Sequence, residues 1–124
     1  MAKKKPKIQT IVCVNDVYNY ALFVRVGGTQ QQAMDCLDRK FSEHQHIQYK
    51  GGIGAACCLC IENEPSHLIW FDEVPGGGVA AHEALHSVRH IAITIGLGEL
   101  CEANEEAYAY LLAWTVREIG KNFW

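Results

Sequence analysis

The stretch VAAHEALHSVRH, residues 79–90, carries three histidines and a glutamate at spacings that could do chemistry. His82, Glu83 and His86 spell H-E-x-x-H. On a helix, residues four apart share a face, one turn above the other, so His82 and His86 can offer imidazole nitrogens to a single metal ion. Glu83 falls to one side of that axis, which suits a base acting on a water at the metal better than a ligand. Zinc is the natural guest, because it accepts histidine nitrogen and carboxylate oxygen in a tetrahedral site with one open position. A shuffled chain of this composition shows the pattern roughly once in fifty, so context has to decide. The flanking residues are strongly apolar (Val79, Ala80, Ala81, Ala84, Leu85, Val88, Ile91, Ala92, Ile93, Ile95), which predicts a helix buried on most sides. The three site residues then lie at or near the interior, where unpaired polar groups are costly and a metal would satisfy both histidines. The competing reading is a packed helix whose histidines bond backbone or neighbouring side chains. His90 extends the stripe by a turn. It lies about 12 Å from His82 by helix rise, too far to share one ion, and is expected to be structural or a hydrogen-bond partner behind the ligands. The longer pattern H-E-x-x-H-x-x-G-x-x-H is excluded, because Arg89 stands where glycine is required and Ala92 where histidine is.

A catalytic zinc wants a third protein ligand. Beyond the Gly-Leu-Gly break at 96–98, the segment ELCEANEEAYAYLLAW offers Glu105 and Glu106, nineteen and twenty residues past His86. The helical wheel leaves both open. Tyr108, Leu112, Val116 and Ile119 form an apolar stripe that Glu105 continues, whereas the small Ala109 and Ala113 flank the line from Glu106. Glu106 is favoured, with Glu105 as the alternate. If Asn104 caps this helix, both acids also fit its first turn simply by facing the positive end of the helix dipole.

With these residues in view, HEALHSVRHIAITIGL followed by NEEAYAYLLAW resembles the small H-E-x-x-H proteins encoded by tailed bacteriophages and prophages, metallopeptidases of zincin-like, gluzincin type. VGGTQQQAMDCLDRKF and IWFDEVPGGGVAAHE suit that group less specifically. The resemblance covers residues 20–120 and is strong over 79–115. Gluzincins take their third ligand from the next helix, about twenty residues past the second histidine, and the pair Asn104–Glu105 resembles their Asn-Glu one register early. The resemblance implies a minimal zincin core, Zn2+ at His82, His86 and Glu106, Glu83 as general base, and a bacterial cytoplasmic setting. It also implies a peptide substrate laid as an added strand on a sheet edge, here AACCLCI or HLIWF. An oxyanion donor is needed too, and Tyr108 or Tyr110 is the candidate.

The elements that must position these residues read as β-β-α-β-β-α-α. IQTIVCV and YALFVRV are rich in β-branched and aromatic residues, and NDVYN between them offers a hairpin turn. In GGTQQQAMDCLDRKF, Thr29 is a good N-cap, and Ala33, Met34, Leu37 and Phe41 keep helical spacing. SEHQHIQYKGGIG reads as a polar loop. AACCLCI and HLIWF flank ENEPS as a second hairpin. A helix follows over about 79–95 after DEVPGGG, and a last one from 101 or 104 to 119. The expected class is α+β: a small, mostly antiparallel sheet with helices on one face.

Size and composition set the remaining bounds. At 124 residues the chain suits one domain, 8–124, preceded by a basic, disordered tail, 1–7. Lys3, Lys4, Lys5 and Lys7 supply four of the eleven basic residues, which leaves 7 basic against 14 acidic on the body. An acidic body argues against a nucleic-acid surface. No apolar run is long enough to span a bilayer and the start lacks a signal-peptide pattern, so an intracellular chain with reduced cysteines is expected. In CCLC, Cys58 and Cys60 should face one way on a strand and Cys57 the other, as small buried hydrophobes and not as a metal site. PGGG lacks the Gly-Lys-Ser/Thr of a phosphate loop. The C-terminal NFW could pack on the body or on a second copy. The functional expectation is a zinc-dependent hydrolase acting on peptides or proteins. Its rivals are a non-catalytic phage or prophage structural or partner-binding protein that keeps the zincin-like fold, and a metal-free α+β domain.

Overall fold

The computed structural model describes residues 7–41, 47–50 and 55–124. In chain order these form β1 (Gln9–Asn15), β2 (Tyr20–Val26), α1 (Gln30–Lys40), β3 (Ile47–Lys50), β4 (Ala56–Ile61), β5 (His67–Phe71), α2 (Gly77–Thr94), a short 3-10 turn (Glu102–Asn104) and α3 (Glu105–Phe123). The class is α+β, as expected. The strand order is β1-β2-β5-β4-β3. β1–β2, β5–β4 and β4–β3 pair antiparallel, and β2–β5 pair parallel, so the sheet is mixed. Both expected hairpins form.

β4 and β5 are buried at every position. Their side chains alternate between two cores. Cys57, Leu59, Ile61, Leu68 and Trp70 meet Ala33, Cys36 and Leu37 of α1. Cys58, Cys60, Ile69 and Phe71 meet Ala80, Val88 and Ile91 of α2, together with Leu111, Trp114 and Ile119 of α3. Helices therefore cover both faces, not one. The unbroken apolar runs of CCLCI and LIWF are the signature of strands buried on both sides. Two further expectations change. The stretch read as a polar loop contains β3, which pairs with β4 from Ile47↔Ile61 to Lys50↔Cys58; a four-residue edge strand carries too little alternation to stand out from a loop. As a result, β1 and β3 are the sheet edges, and neither AACCLCI nor HLIWF is available to receive an added strand. Residues 42–46 and 51–54 of that stretch, and residues 1–6 of the expected tail, lie outside the described residues.

Local signals set the helix ends. Thr29 caps α1 in a capping box: Gln32 N–H donates to Thr29 Oγ1 (3.2 Å) and Thr29 N–H to Gln32 Oε1 (2.9 Å). α2 ends where Gly96 takes φ +90°, which a side chain would resist, and Leu97 N–H reaches back to Ala92 O at 2.7 Å. α3 continues past 119 to Phe123. Beyond it the Trp124 indole N–H donates to Pro75 O at 2.9 Å. The chain end thus packs on the body, and α3 runs antiparallel to α2. No helix among the described residues is long and apolar enough to cross a membrane.

Candidate metal centre

α2 buries one face: Ala80, Glu83, Ala84, Ser87, Val88, Ile91 and Ala92. Leu85 and Ile93 on the opposite face are exposed, so the helix is less enclosed than its composition predicts. His82 and His86 stand at the border of the two faces. The His82 side chain is 42% exposed and His86 is half-buried, while Glu83 is fully buried. The Nε2 atoms of the two histidines lie 3.3 Å apart, with ring planes 65° to each other. The nitrogen–nitrogen edge of a tetrahedral zinc site is also about 3.3 Å when each bond is 2.0–2.1 Å. The pair therefore has the spacing that two imidazole ligands of one ion require.

Glu83 supplies the second feature. Both carboxylate oxygens are buried and neither has a hydrogen-bond partner among the described residues. Oε1 lies 3.9 Å from His82 Nε2. Burial pushes the Glu83 carboxyl above its ordinary pKa, and the charge of His82 pulls it partly back. Burial, followed by the charges of His82 and Arg89, holds His86 below its usual value, which favours the neutral ring a metal needs. After burial itself, the Glu83 charge helps raise the Cys57 thiol to about 12.

The structure thus brings His82, Glu83 and His86 together. Among the described residues no metal-binding group joins Glu106 or Glu105 to them. Both are exposed in the first turn of α3. The geometry of the helical hairpin is the reason. α2 runs on to Thr94, eight residues past His86, about 12 Å by helix rise. The link then folds back and is pinned. Asn104 Nδ2–H2 donates to Leu97 O (2.9 Å) and Glu99 O (2.8 Å), and Asn104 Oδ1 accepts from Cys101 N–H (2.8 Å). Asn104 precedes α3 as expected, but its side chain ties the link instead of capping the helix. Tyr108 is buried and its hydroxyl donates to Gly98 O at 2.6 Å. Tyr110 faces Tyr18 of the β1–β2 turn, with ring centroids 6.0 Å apart. The partners of both expected oxyanion donors are therefore elsewhere than the histidine pair.

His90 holds the β4–β5 turn, its Nε2–H donating to Glu64 O at 2.7 Å. Its ring meets His67 edge-on at 5.2 Å. His67 and Ser87 escaped the sequence reading. His67 Nδ1–H donates to Pro65 O (2.9 Å), which leaves Nε2 to accept the Ser87 hydroxyl. Burial, reinforced by His90, pushes His67 down to about 3, so the ring is neutral. Both residues are sealed from solvent, so this Ser–His pair is an internal pin rather than a nucleophile. The period-2 register of HLIWF, which puts His67 on the α2 face with Ile69 and Phe71, was the available clue. Cys57, Cys58 and Cys60 alternate as expected: Cys58 Sγ lies 3.7 Å from Cys60 Sγ while Cys57 faces α1, and none of the six cysteines is in a disulfide.

Beside His86 a cleft of about 310 Å³ opens between α2 and the β4–β5 turn. Glu62 and Asn63 form one wall, and Arg89, His90, Ile93 and Thr94 the other. Arg89 is gripped by Glu99, Nε to Oε2 at 3.1 Å and a terminal nitrogen to Oε1 at 2.7 Å. Compared with protein-family models, with curated proteins and with solved structures, the chain matches none.

Proposed function

We propose that this chain is a zinc-dependent hydrolase of peptide bonds, built on a minimal zincin-like core of gluzincin type and akin to the small H-E-x-x-H proteins of phages and prophages. The observation that carries the reading is the convergent His82–His86 nitrogen pair beside a buried carboxylate that has no hydrogen-bond partner among the described residues. His82 and His86, whose Nε2 atoms lie 3.3 Å apart, would hold the metal. Glu106, with Glu105 as the alternate, is the acid the resemblance assigns to the third position. Zinc, when bound, supplies Lewis acidity toward water and a carbonyl. Glu83 accepts the proton of the attacking water at its carboxylate and returns it to the departing amide nitrogen. Its raised pKa brings that base closer to neutrality, where both transfers are favourable. The reading carries a bacterial cytoplasmic setting and a peptide or protein substrate with it.

One observation favours a second reading, a non-catalytic phage or prophage protein that keeps the fold as a structural or partner-binding part: no third ligand completes a metal site with the histidine pair among the described residues. Elemental mass spectrometry on tag-free protein tests the site first. About one zinc per chain is expected in the wild type and none in His82→Ala. No metal in either, after zinc is added back, sinks the proposal. Glu83→Gln then separates the two readings. Retained zinc with lost peptide hydrolysis supports catalysis, whereas a zinc-loaded wild type that hydrolyses no peptide supports the second. Glu106→Gln is expected to weaken zinc retention, and unchanged zinc content removes Glu106 from the ligand set.

A further inference from the structure

We infer that the cleft beside His86 is a subsite for a basic side chain of the peptide, with Glu62 as the residue that selects it. The inference rests on the peptidase reading for its biological sense, but not for its test. The cleft starts at His86 and follows α2 to Thr94, about 12 Å by helix rise, the length of three to four extended residues. A peptide positioned at the histidine pair therefore lays a neighbouring residue into it. The volume, about 310 Å³, is at the small end of ligand pockets and suits one long side chain.

Charge decides which side chain. Two fixed charges line the cleft, Glu62 and Arg89. Arg89 is already met by the two-point grip of Glu99. Glu62 is exposed and enters no ion pair among the described residues. The residual charge of the cleft is therefore negative, and it belongs to one carboxylate. An acidic side chain would face Glu62 and find its natural partner engaged. Lysine or arginine would place its cation on Glu62 and lay its methylene stem on Ile93, which is 47% exposed. The Asn63 amide and the Thr94 hydroxyl can serve the rest of the polar head. The wider field acts in the same sense: outside the four N-terminal lysines the chain carries 7 basic against 14 acidic residues, which draws cationic peptides toward the body.

The test uses binding to chelator-treated full-length protein, so it does not depend on zinc or turnover. Three probes, acetyl-Ala-Lys-Ala-amide and its Glu and Leu counterparts, are titrated while the Asn63 amide and Ile93 methyl resonances are followed. The Lys peptide is expected to bind about fivefold more tightly than either counterpart, to lose that margin in Glu62→Gln, and to lose it with added salt. Glu62→Lys should favour the Glu peptide. Equal binding of the three overturns the inference, as does a Lys preference that survives Glu62→Gln. A preference for Leu would make Ile93 alone the determinant, and one for Glu would mean that Arg89 gives up Glu99; either also overturns it. Absence of any shift at Asn63 and Ile93 removes the subsite while leaving the zinc reading to the metal measurement.

Discussion

A buried carboxylate is most costly when no donor faces it, and Glu83 of α2 has no hydrogen-bond donor among the described residues. Replacing it by the neutral, near-isosteric glutamine should therefore raise stability at pH 7, by about 1 kcal/mol, seen as a rise of about 4 °C in Tm of chelator-treated protein. A fall would show that the carboxylate has a structural partner. His67 gives a pH dependence with a definite sign. Its folded pKa, about 3, lies below the ordinary 6.5, so the unfolded chain binds the proton more readily. Its contribution is complete above about pH 6.5 and is lost as pH falls from there toward 3, by up to about 1.4 kcal/mol per unit. His86, also held low, acts in the same direction. Glu83, held above its ordinary value, acts in the opposite direction, so His67 is read from the difference in urea unfolding between wild type and His67→Gln, both chelator-treated, from pH 7 to 5: the wild type should lose more stability as pH falls. At this scale the sequence was a good guide where chemistry is local. Spacing alone placed His82 and His86 on one face and Glu83 beside them. It could not show the Ser87–His67 bond, whose partners are twenty residues apart on different elements.

Element by element, propensity and pattern identified all three long helices and four of the five strands; β3, short and polar, needed its ladder to β4 to be seen. What no pattern disclosed is how far one element carries a residue from another. The twenty residues between His86 and Glu106 fit a familiar spacing, yet two further turns of α2 and a pinned return put the two at different stations of the hairpin. Asn104 is the pin. Asn104→Ala removes three hydrogen bonds from the α2–α3 link and should cost about 1–2 kcal/mol in urea unfolding. The link leads directly into Glu105 and Glu106, so zinc content per folded chain in the same variant shows whether it positions the proposed third ligand. A matching loss of zinc would mean that the link does position a ligand.

For the whole molecule, the decisive feature is a sheet clothed on both sides, α1 on one and the α2–α3 hairpin on the other. Composition bounded the size and charge of such a body but not its layering, since a fully apolar strand does not say how many layers cover it. The two cores share β4 and β5, so they should open together. The cysteines turn that statement into a clock. Cys101 sits exposed on the link and should react with a thiol reagent at once, whereas Cys36 and Cys57 lie in one layer and Cys13, Cys58 and Cys60 in the other, all buried. Followed by mass spectrometry, labelling should jump by one adduct and then wait for five that arrive as a group, at the rate at which the native chain opens. Cys36 and Cys57 arriving ahead of the rest would instead reveal a molecule that sheds α1 first. Without any introduced probe, the chain thus keeps time on its own unfolding and records which side of the sheet gives way.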